Sequence, residues 1–438
     1  MGLHPAALLV LYGGVALAPL AIAALTGPRE NDFLAELGIG LGLTAYAMLL
    51  MQFVSSGRFE QLSGRVGIDR MMRFHQLTAR LLAVLVLLHP LAPRIPTSMD
   101  MLSMTPQAVA IMFGAPHLRS GVAAWVILLI VVLMAIFRHH LPLRYEVWRA
   151  THVLGALAIA AGGAHHTFTV GSYSGVPGLF WFWCALLAIA LASFLFVYFL
   201  RPWLLLRMGY RVVANRALAP AIRELTMEPG SGRGIRFEPG QFAWLNTWPL
   251  PLLDHPFSIC SAPAELPRVR MLIKTRGDFS GSLEHLVPGT PVRLDVPHGH
   301  FGLHAGRGDS VYLIAGGIGI SPVMSVLRHL HSTHDPRPIS LLYGARNLEQ
   351  LVYADEISAI ATQIGLRTRF FLDEPPPGWS AGVGPLTEES VRAGLPDAPE
   401  TCLCLVCGPT PLMLAVERWL LATGVPSRQI VYERFEYD

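Results

Sequence analysis

Charge is scarce in this 438-residue chain: Asp, Glu, Lys and Arg together make up 14% of it, against 52% for the hydrophobic residues. A soluble domain carries about a quarter of its residues as charge, so the deficit excludes a chain that is soluble along its whole length. Lysine is rarer still, with Lys274 its single occurrence. No basic block is interleaved with aromatics, and the net charge of +3 is spread along loops, which argues against a nucleic-acid partner. The five cysteines (Cys184, Cys260, Cys402, Cys404, Cys407) are too few for a disulfide framework, and no four of them are spaced for an iron–sulfur cluster. Cys404 and Cys407 have C-x-x-C spacing but lie in the apolar run TCLCLVC, which predicts a buried strand rather than a redox pair. A calcium-loop pattern is also missing, so no direct calcium switch is expected.

Long apolar runs take up the space that charge leaves. Residues 6–25, 33–54, 74–92, 121–137, 147–168 and 179–200 each approach the ~20 residues needed to cross a ~30 Å hydrocarbon core, whereas the chain past about Arg201 has soluble composition. The first run has no basic segment before it and no clear cleavage site after it, so it is expected to stay as a helix. Arginines set the orientation, because short cytoplasmic loops accumulate them. Arg58, Arg65, Arg70 and Arg73 follow the second run, Arg138 and Arg144 the fourth, and Arg201, Arg207 and Arg211 the sixth, while the alternate loops are poorer. Both termini and the soluble half are therefore expected on the cytoplasmic side of the cell (inner) membrane.

Ionisable groups in lipid are costly and usually face a partner or a cavity. The third run carries His75 and His89, and the fifth carries His152 near its inner end and the pair His165 and His166 near its outer end. Fourteen residues of helix put His75 and His89 about 21 Å apart along the axis and within about 40° of one face. That spacing suits two stacked hemes, each held by one histidine from each helix: His75 with His152 inside, His89 with His165 or His166 outside. His166 repeats the spacing of fourteen on a straight helix, while His165 is rotated by about 140°, a difference that a bend at Gly162 and Gly163 would change. His139 and His140 read as interfacial. Met99, Met101 and Met104, in the long outer loop, read as flexible apolar packing over the outer heme, with binding of a soft copper ion the alternative.

After Arg207, short apolar runs alternate with Pro and Gly turns up to about Gly308, the pattern of a small β-barrel. Beyond it, VYLIAGGIGISPVMSVLRHL is a strand, a glycine turn and a helix, and strand-like and helical segments then alternate as in a parallel sheet. In AGGIGISP the glycines let the backbone approach a pyrophosphate and the following helix offers free N–H groups. Gly277 to Ser280, GDFS, opens a second helix whose amides and Ser280 hydroxyl are suited to another pyrophosphate, or simply to capping.

The order HPFS (His255 to Ser258), GDFS, GGIGISP, YGAR, CGPTPLM and a late aromatic, Phe435, resembles the ferredoxin–NADP reductase superfamily. Joined behind a six-helix diheme domain, it resembles the NADPH oxidase and ferric reductase family over nearly the whole chain. The resemblance implies a six-helix transmembrane bundle (1–206), an FAD-binding β-barrel (207–307) and a Rossmann-like NAD(P)H-binding α/β domain (308–438). It also implies that His255, Pro256, Phe257 and Ser258 contact FAD, and that Lys274, Gly277 and Ser280 line its phosphates. Gly316, Gly317, Gly319 and Pro322 would take the nucleotide pyrophosphate; Cys407, Gly408, Pro409 and Met413 its nicotinamide end; and Phe435 the flavin face. HPFS departs from the Arg-x-Tyr-Ser of soluble members and fits the membrane branch. Arg346 is the candidate partner for the ribose phosphate of NADPH, with NADH the alternative. The implied activity is electron transfer from NAD(P)H through FAD and two b-type hemes to an outer acceptor, either O2, giving superoxide, or a ferric or cupric ion. No obligatory protein partner is expected. A diheme subunit that exchanges electrons with quinone would not need the fused flavin module.

Overall fold

Among the described residues of the first half of the chain are six long helices: α1 Pro5–Thr26, α2 Phe33–Met51, α3 Ile68–Leu88, α4 Arg119–Ile136, α5 Tyr145–Thr169 and α6 Pro177–Leu195. They belong to a computed structural model that describes residues 5–27, 32–56, 67–92, 110, 113–206, 209–230, 234–247, 254–303 and 308–432. The chain divides into two units, Met1–Phe199 and Leu200–Asp438. Five of the helices, α1 to α4 and α6, are long and apolar enough to cross a membrane. The sequence predicts six such spans. The exception is α5, where Glu146, Arg149 and three histidines dilute the apolar content of a 25-residue helix.

Small residues set how closely these helices approach, as expected where lipid supplies little hydrophobic drive. The Tyr46 hydroxyl of α2 donates to the Ala160 carbonyl of α5 at 3.0 Å, and its ring lies where a Cβ on Gly163 would be, 2.6 Å away. A Cβ on Gly162 would stand 3.1 Å from both the Ser120 carbonyl and the Ala124 methyl of α4. The two glycines thus serve close packing, and α5 runs unbroken through them. Trp125 of α4 donates its indole N–H to the Val86 carbonyl of α3 at 2.9 Å.

The second unit opens with a short helix, α7 Arg201–Leu205, and then β1 Gly209–Ala219, β2 Ile222–Pro229, β3 Phe242–Asn246, β4 His255–Ser258, β5 Val269–Lys274, the one-turn α8 Asp278–Ser282 and β6 Pro291–His298. These strands pair antiparallel in the order β4-β3-β6-β1-β2-β5. Ile259, just after β4, bridges Met271 of β5, so the two edge strands meet. Then come β7 Ser310–Gly316, α9 Ile320–Ser332, β8 Ile339–Ala345, α10 Ala354–Ile364, β9 Arg367–Leu372, β10 Gly382–Val383, α11 Glu388–Arg392, β11 Cys402–Cys407, α12 Thr410–Ala422 and β12 Ile430–Tyr432. Their strands form a parallel sheet in the order β10-β9-β8-β7-β11-β12.

β11 is buried throughout, as TCLCLVC predicts. On a strand, residues three apart point to opposite faces. Cys404 accordingly packs with Tyr312, Val416 and Leu420 on one side of the sheet, and Cys407 with Val323, Leu327 and Leu341 on the other, so the C-x-x-C pair does not converge. One core cluster runs from Ile222, Leu272 and Phe301 of the antiparallel half into Val323, Leu327 and Leu341 of the parallel half. The helix between them, α9, is therefore buried on nearly every side.

Candidate functional site

In the helical unit, α2, α4 and α5 surround the two histidines of α3. At one level His89, the C-cap residue of α3, donates from Nδ1 to the Gly38 carbonyl at 2.6 Å; a carbonyl only accepts, so the ring's lone pair lies on Nε2. Its ring centre is 6.4 Å from that of His166 on α5, with the planes at 79°. Each ring rests on a glycine of a neighbouring helix. A Cβ on Gly42 of α2 would stand 2.7 Å from the His89 ring, and one on Gly121 of α4 2.6 Å from the His166 ring, both closer than side chains come. At the other level His75 donates from Nδ1 to the Ser55 hydroxyl at 3.4 Å, Ser55 donates to the Gln52 side chain at 3.0 Å, and Gln52 donates to Thr78 at 2.9 Å. His152 is an electrostatic neighbour of His75 and stacks on Trp148 one turn earlier, ring centres 5.4 Å apart.

The two outer candidates separate clearly. His165 is exposed, with Nδ1 on the Ser120 hydroxyl at 2.9 Å and Thr169 beside it. His166 is half-buried, and its Nδ1, like that of His152, is buried without a hydrogen-bond partner. Hydrogen bonding, the usual reason for a histidine in a membrane helix, therefore accounts for His165 but not for His152 or His166. Two imidazoles on opposite sides of one metal ion have their ring centres about 6 Å apart, so the His89–His166 spacing fits an iron between them. Among the described residues no three His, Cys, Asp or Glu side chains group to hold a bare metal ion.

In the second unit the parallel sheet reverses its order between β7 and β11, and ligands bind outside the strand ends at such a switch point. The C-terminal ends of those two strands hold the predicted nucleotide residues. Gly316 ends β7, and a Cβ there would meet Leu412 at 2.4 Å; one on Gly319 would meet the Cys407 carbonyl at 2.2 Å. Gly408 lies against Gly316, its Cβ position 3.2 Å from the Gly316 Cα. Those three glycines let the two strand ends touch. Gly317, at φ +54, has open space where its side chain would be, and it is the glycine that leaves the crevice accessible. Pro322 and Cys407 are buried, Pro409 caps α12, and Met413 lies in the core, 3% exposed.

His255 and Phe257, on one face of β4, point toward Phe279 of GDFS; the His255 ring stacks on it at 3.9 Å. Pro256 and Ser258 occupy the other face, with Ser258 buried. Lys274 ends β5 half-buried, and Gly277 is exposed. The Ser280 hydroxyl accepts from the Arg276 and Gly277 N–H groups at 2.9 and 3.1 Å, so this short helix is capped from within. Arg346, at the end of β8, is paired with Glu374 at 3.0 Å on an exposed surface. Phe435, like Met99, Met101 and Met104, lies outside the described residues.

Residues 41–163 match the ferric reductase like transmembrane component, and residues 313–418 the oxidoreductase NAD-binding domain. The chain is 32% identical over 239 residues to a ferredoxin–NADP reductase B of Sorangium cellulosum (strain So ce56), covering 52% of this chain and 96% of that protein. It belongs to the ferredoxin–NADP reductase family, fused to a ferric reductase-like transmembrane component. The reductase is also 32% identical over 235 residues to the reductase component of a propane 2-monooxygenase from Rhodococcus jostii (strain RHA1), covering 51% of this chain and 62% of that protein. A solved ferredoxin reductase in carbazole 1,9a-dioxygenase is similar at 26% identity and a TM-score of 0.47, over 52% of this chain and 69% of that one. The reductase is thus an NAD(P)H-dependent flavin oxidoreductase with a membrane half.

Several residues of the site were not singled out from the sequence. Gly38 and Gly42 stand four apart on α2, a small-residue spacing that marks close helix approach, and Ser120–Gly121 opens α4 in the same way. Ser55 and Trp148 carry no such signal, since a lone serine or tryptophan near a helix end is common.

Proposed function

We propose that the reductase carries electrons from cytoplasmic NADPH, or NADH, through FAD and two b-type hemes to an acceptor on the outer side of the cell (inner) membrane, with O2 reduced to superoxide. In this reading α5 spans the membrane with the other five helices, the histidines stand at two depths of the ~30 Å hydrocarbon core, and the chain is organised as 1–206, 207–307 (a closed barrel) and 308–438. When bound, FAD supplies the change from hydride to single-electron transfer, and the hemes supply one-electron carriers at the two depths. The chain's own residues do the rest. His75 with His152 holds the inner iron and His89 with His166 the outer, the α3 histidines presenting Nε2 because Nδ1 is tied to Ser55 and to the Gly38 carbonyl. Gly42 and Gly121 keep the outer rings at the iron's spacing. His165 stays with Ser120 and outside the coordination sphere.

On the cytoplasmic side, His255, Pro256, Phe257 and Ser258 border the flavin, and Lys274 offers its cation to the FAD phosphates beside Gly277 and Ser280. Gly316, Gly317, Gly319 and Pro322 take the nucleotide pyrophosphate at the start of α9, with Cys407, Gly408, Pro409 and Phe435 at the nicotinamide and Arg346 at the ribose. No nucleophile or general base is required. The reading rests chiefly on the His89–His166 pair, two half-buried rings spaced for one metal ion and seated on glycines.

Ferric or cupric reduction is the second reading, favoured by the ferric reductase-like match over residues 41–163. NADPH turnover of the membrane-embedded protein is measured in air with cytochrome c, with and without superoxide dismutase, and then anaerobically with a ferric chelate. Dismutase-sensitive reduction is expected. Dismutase-insensitive reduction together with fast anaerobic turnover of the chelate assigns the metal ion instead, and a purified protein without a bis-histidine heme spectrum ends both readings.

A further inference from the structure

The face of α9 that runs back from the glycine turn carries Ser321, Ser325 and Arg328, spaced four and then three apart, which aligns them on one side of the helix. All three reach the same short stretch of chain, the segment that leaves β4. The Ser321 hydroxyl donates to the Ser258 carbonyl at 3.2 Å, the Ser325 hydroxyl to the Ser261 carbonyl at 2.7 Å, and the Arg328 guanidinium to the Cys260 carbonyl at 2.5 Å. Ser325 also accepts the Gly240 N–H at 3.1 Å. Gly240 sits at φ +93 with the Phe301 carbonyl 2.0 Å from where a Cβ would be, so no side chain fits in that turn. Arg328 is held in its turn by both Glu356 oxygens, at 2.6 and 2.7 Å, and lies over the Tyr353 ring, whose hydroxyl donates to Glu224 of β2 at 2.6 Å. Ser321, Ser325 and Arg328 are 2%, 0% and 5% exposed, so water does not substitute for these bonds.

The helix that offers its N-terminus to the nucleotide and the strand that borders the flavin are therefore tied, residue by residue, along one buried face. We propose that this face of α9 sets the spacing between the two ligands, with Ser325 and Arg328 as positioning residues for hydride transfer. The inference rests on the flavin and nucleotide sites proposed above and assigns these residues no contact with either ligand. In the step they position, two electrons and a proton leave the reduced nicotinamide, which ends oxidised, and pass as hydride to the flavin, which ends reduced. A donor–acceptor distance is sensitive to small shifts, since a misplacement of about 1 Å costs up to about a hundredfold in rate.

The test is Ser325→Ala in the full-length protein, followed by anaerobic stopped-flow reduction of bound FAD with NADPH, NADH and their 4-deuterated forms. Flavin content and Tm are measured alongside. The expected result is full flavin content, flavin reduction slowed by at least about tenfold with little change in nucleotide affinity, a changed deuterium isotope effect and a weaker nicotinamide–flavin charge-transfer band. Arg328→Lys, which keeps the charge and loses the fork to Glu356, is expected to show a smaller change of the same kind. Should Ser325→Ala not fold, Ser321→Ala, which gives up one longer bond, is read in the same way. A folded, flavin-replete variant with the wild-type rate, isotope effect and charge-transfer band overturns the proposal. Wild-type protein whose flavin is reduced by neither nucleotide overturns the underlying site reading instead.

Discussion

In the second unit, Leu200–Asp438, the buried polar groups around α9 are satisfied by the protein itself: Ser325 makes two hydrogen bonds, Arg328 three, and Tyr353 closes onto Glu224. In the helical unit the buried Nδ1 atoms of His152 and His166 meet no partner, and the rings of His89 and His166 are held in place by the missing side chains of Gly42 and Gly121. A buried polar group without a partner is costly in either place, and more so in lipid. The contrast shows two ways of fixing a site. One closes its geometry with hydrogen bonds inside the chain, and the other leaves two buried nitrogens unpaired and seats its rings on glycines.

The contrast is most directly broken at the glycines. Gly42→Val and Gly121→Val each force side-chain atoms into an imidazole, and overpacking of this kind costs about 1–3 kcal/mol where the surroundings can yield at all. On the proposed two-heme reading, the expected outcome is loss of the outer heme, with the heme-to-flavin ratio falling to about half in a pyridine hemochrome assay while the inner heme keeps its spectrum. Gly13→Ala, at a position with nothing within 4 Å, leaves the ratio unchanged. His166→Ala is expected to match the glycine variants and His165→Ala to keep both hemes; the reverse result would refute the pairing. Ser55→Ala, at the inner level, removes a bond of only 3.4 Å and is expected to keep the heme and shift its midpoint potential alone.

A smaller effect sharpens the other side. Burial raises the Glu356 carboxyl, but the hydrogen bonds and charge of Arg328 more than offset this, so it titrates below the ordinary carboxylate range. A depressed folded pKa adds stability that is complete above the unfolded value of about 4.3 and fades as pH falls through the folded one. Glu356 is 38% exposed, so solvent screening holds this contribution to about 1 kcal/mol. Glu356→Gln is expected to lower the temperature of flavin release at neutral pH and to flatten its fall on acidification. A variant with an unchanged acid slope would show that other carboxylates carry it.

Much of this is legible in the residues. The apolar helical half, the pairing of α3 and α5 histidines at two levels, the parallel sheet and the buried TCLCLVC strand follow from composition, spacing and periodicity, which are local. What distinguishes His165 from His166 needed the neighbours: Ser120 on another helix occupies His165, while the His166 ring faces His89. The glycines of GGIGISP are legible as a nucleotide turn, yet two of them are glycine because Leu412 and the Cys407 carbonyl lie against them from elsewhere in the chain. Ser325 has no sequence signal at all, because its partners are backbone atoms of Gly240 and Ser261 brought close only by the fold.

One exposed polar contact of the second unit bears on the nucleotide. Arg346 is the candidate for the ribose phosphate, but it is engaged with Glu374, and the two side chains are 67% and 58% exposed. Solvent screens such a pair, so displacing Glu374 is not a large barrier, and a phosphate can compete for the guanidinium. Glu374→Gln removes the competing charge and is expected to raise kcat/KM for NADPH relative to NADH by a few-fold, an advantage that shrinks as ionic strength rises. Arg346→Ala should lower the same ratio. If neither variant moves it, Arg346 does not read the ribose, and its position at the end of β8 is only that of a surface ion pair.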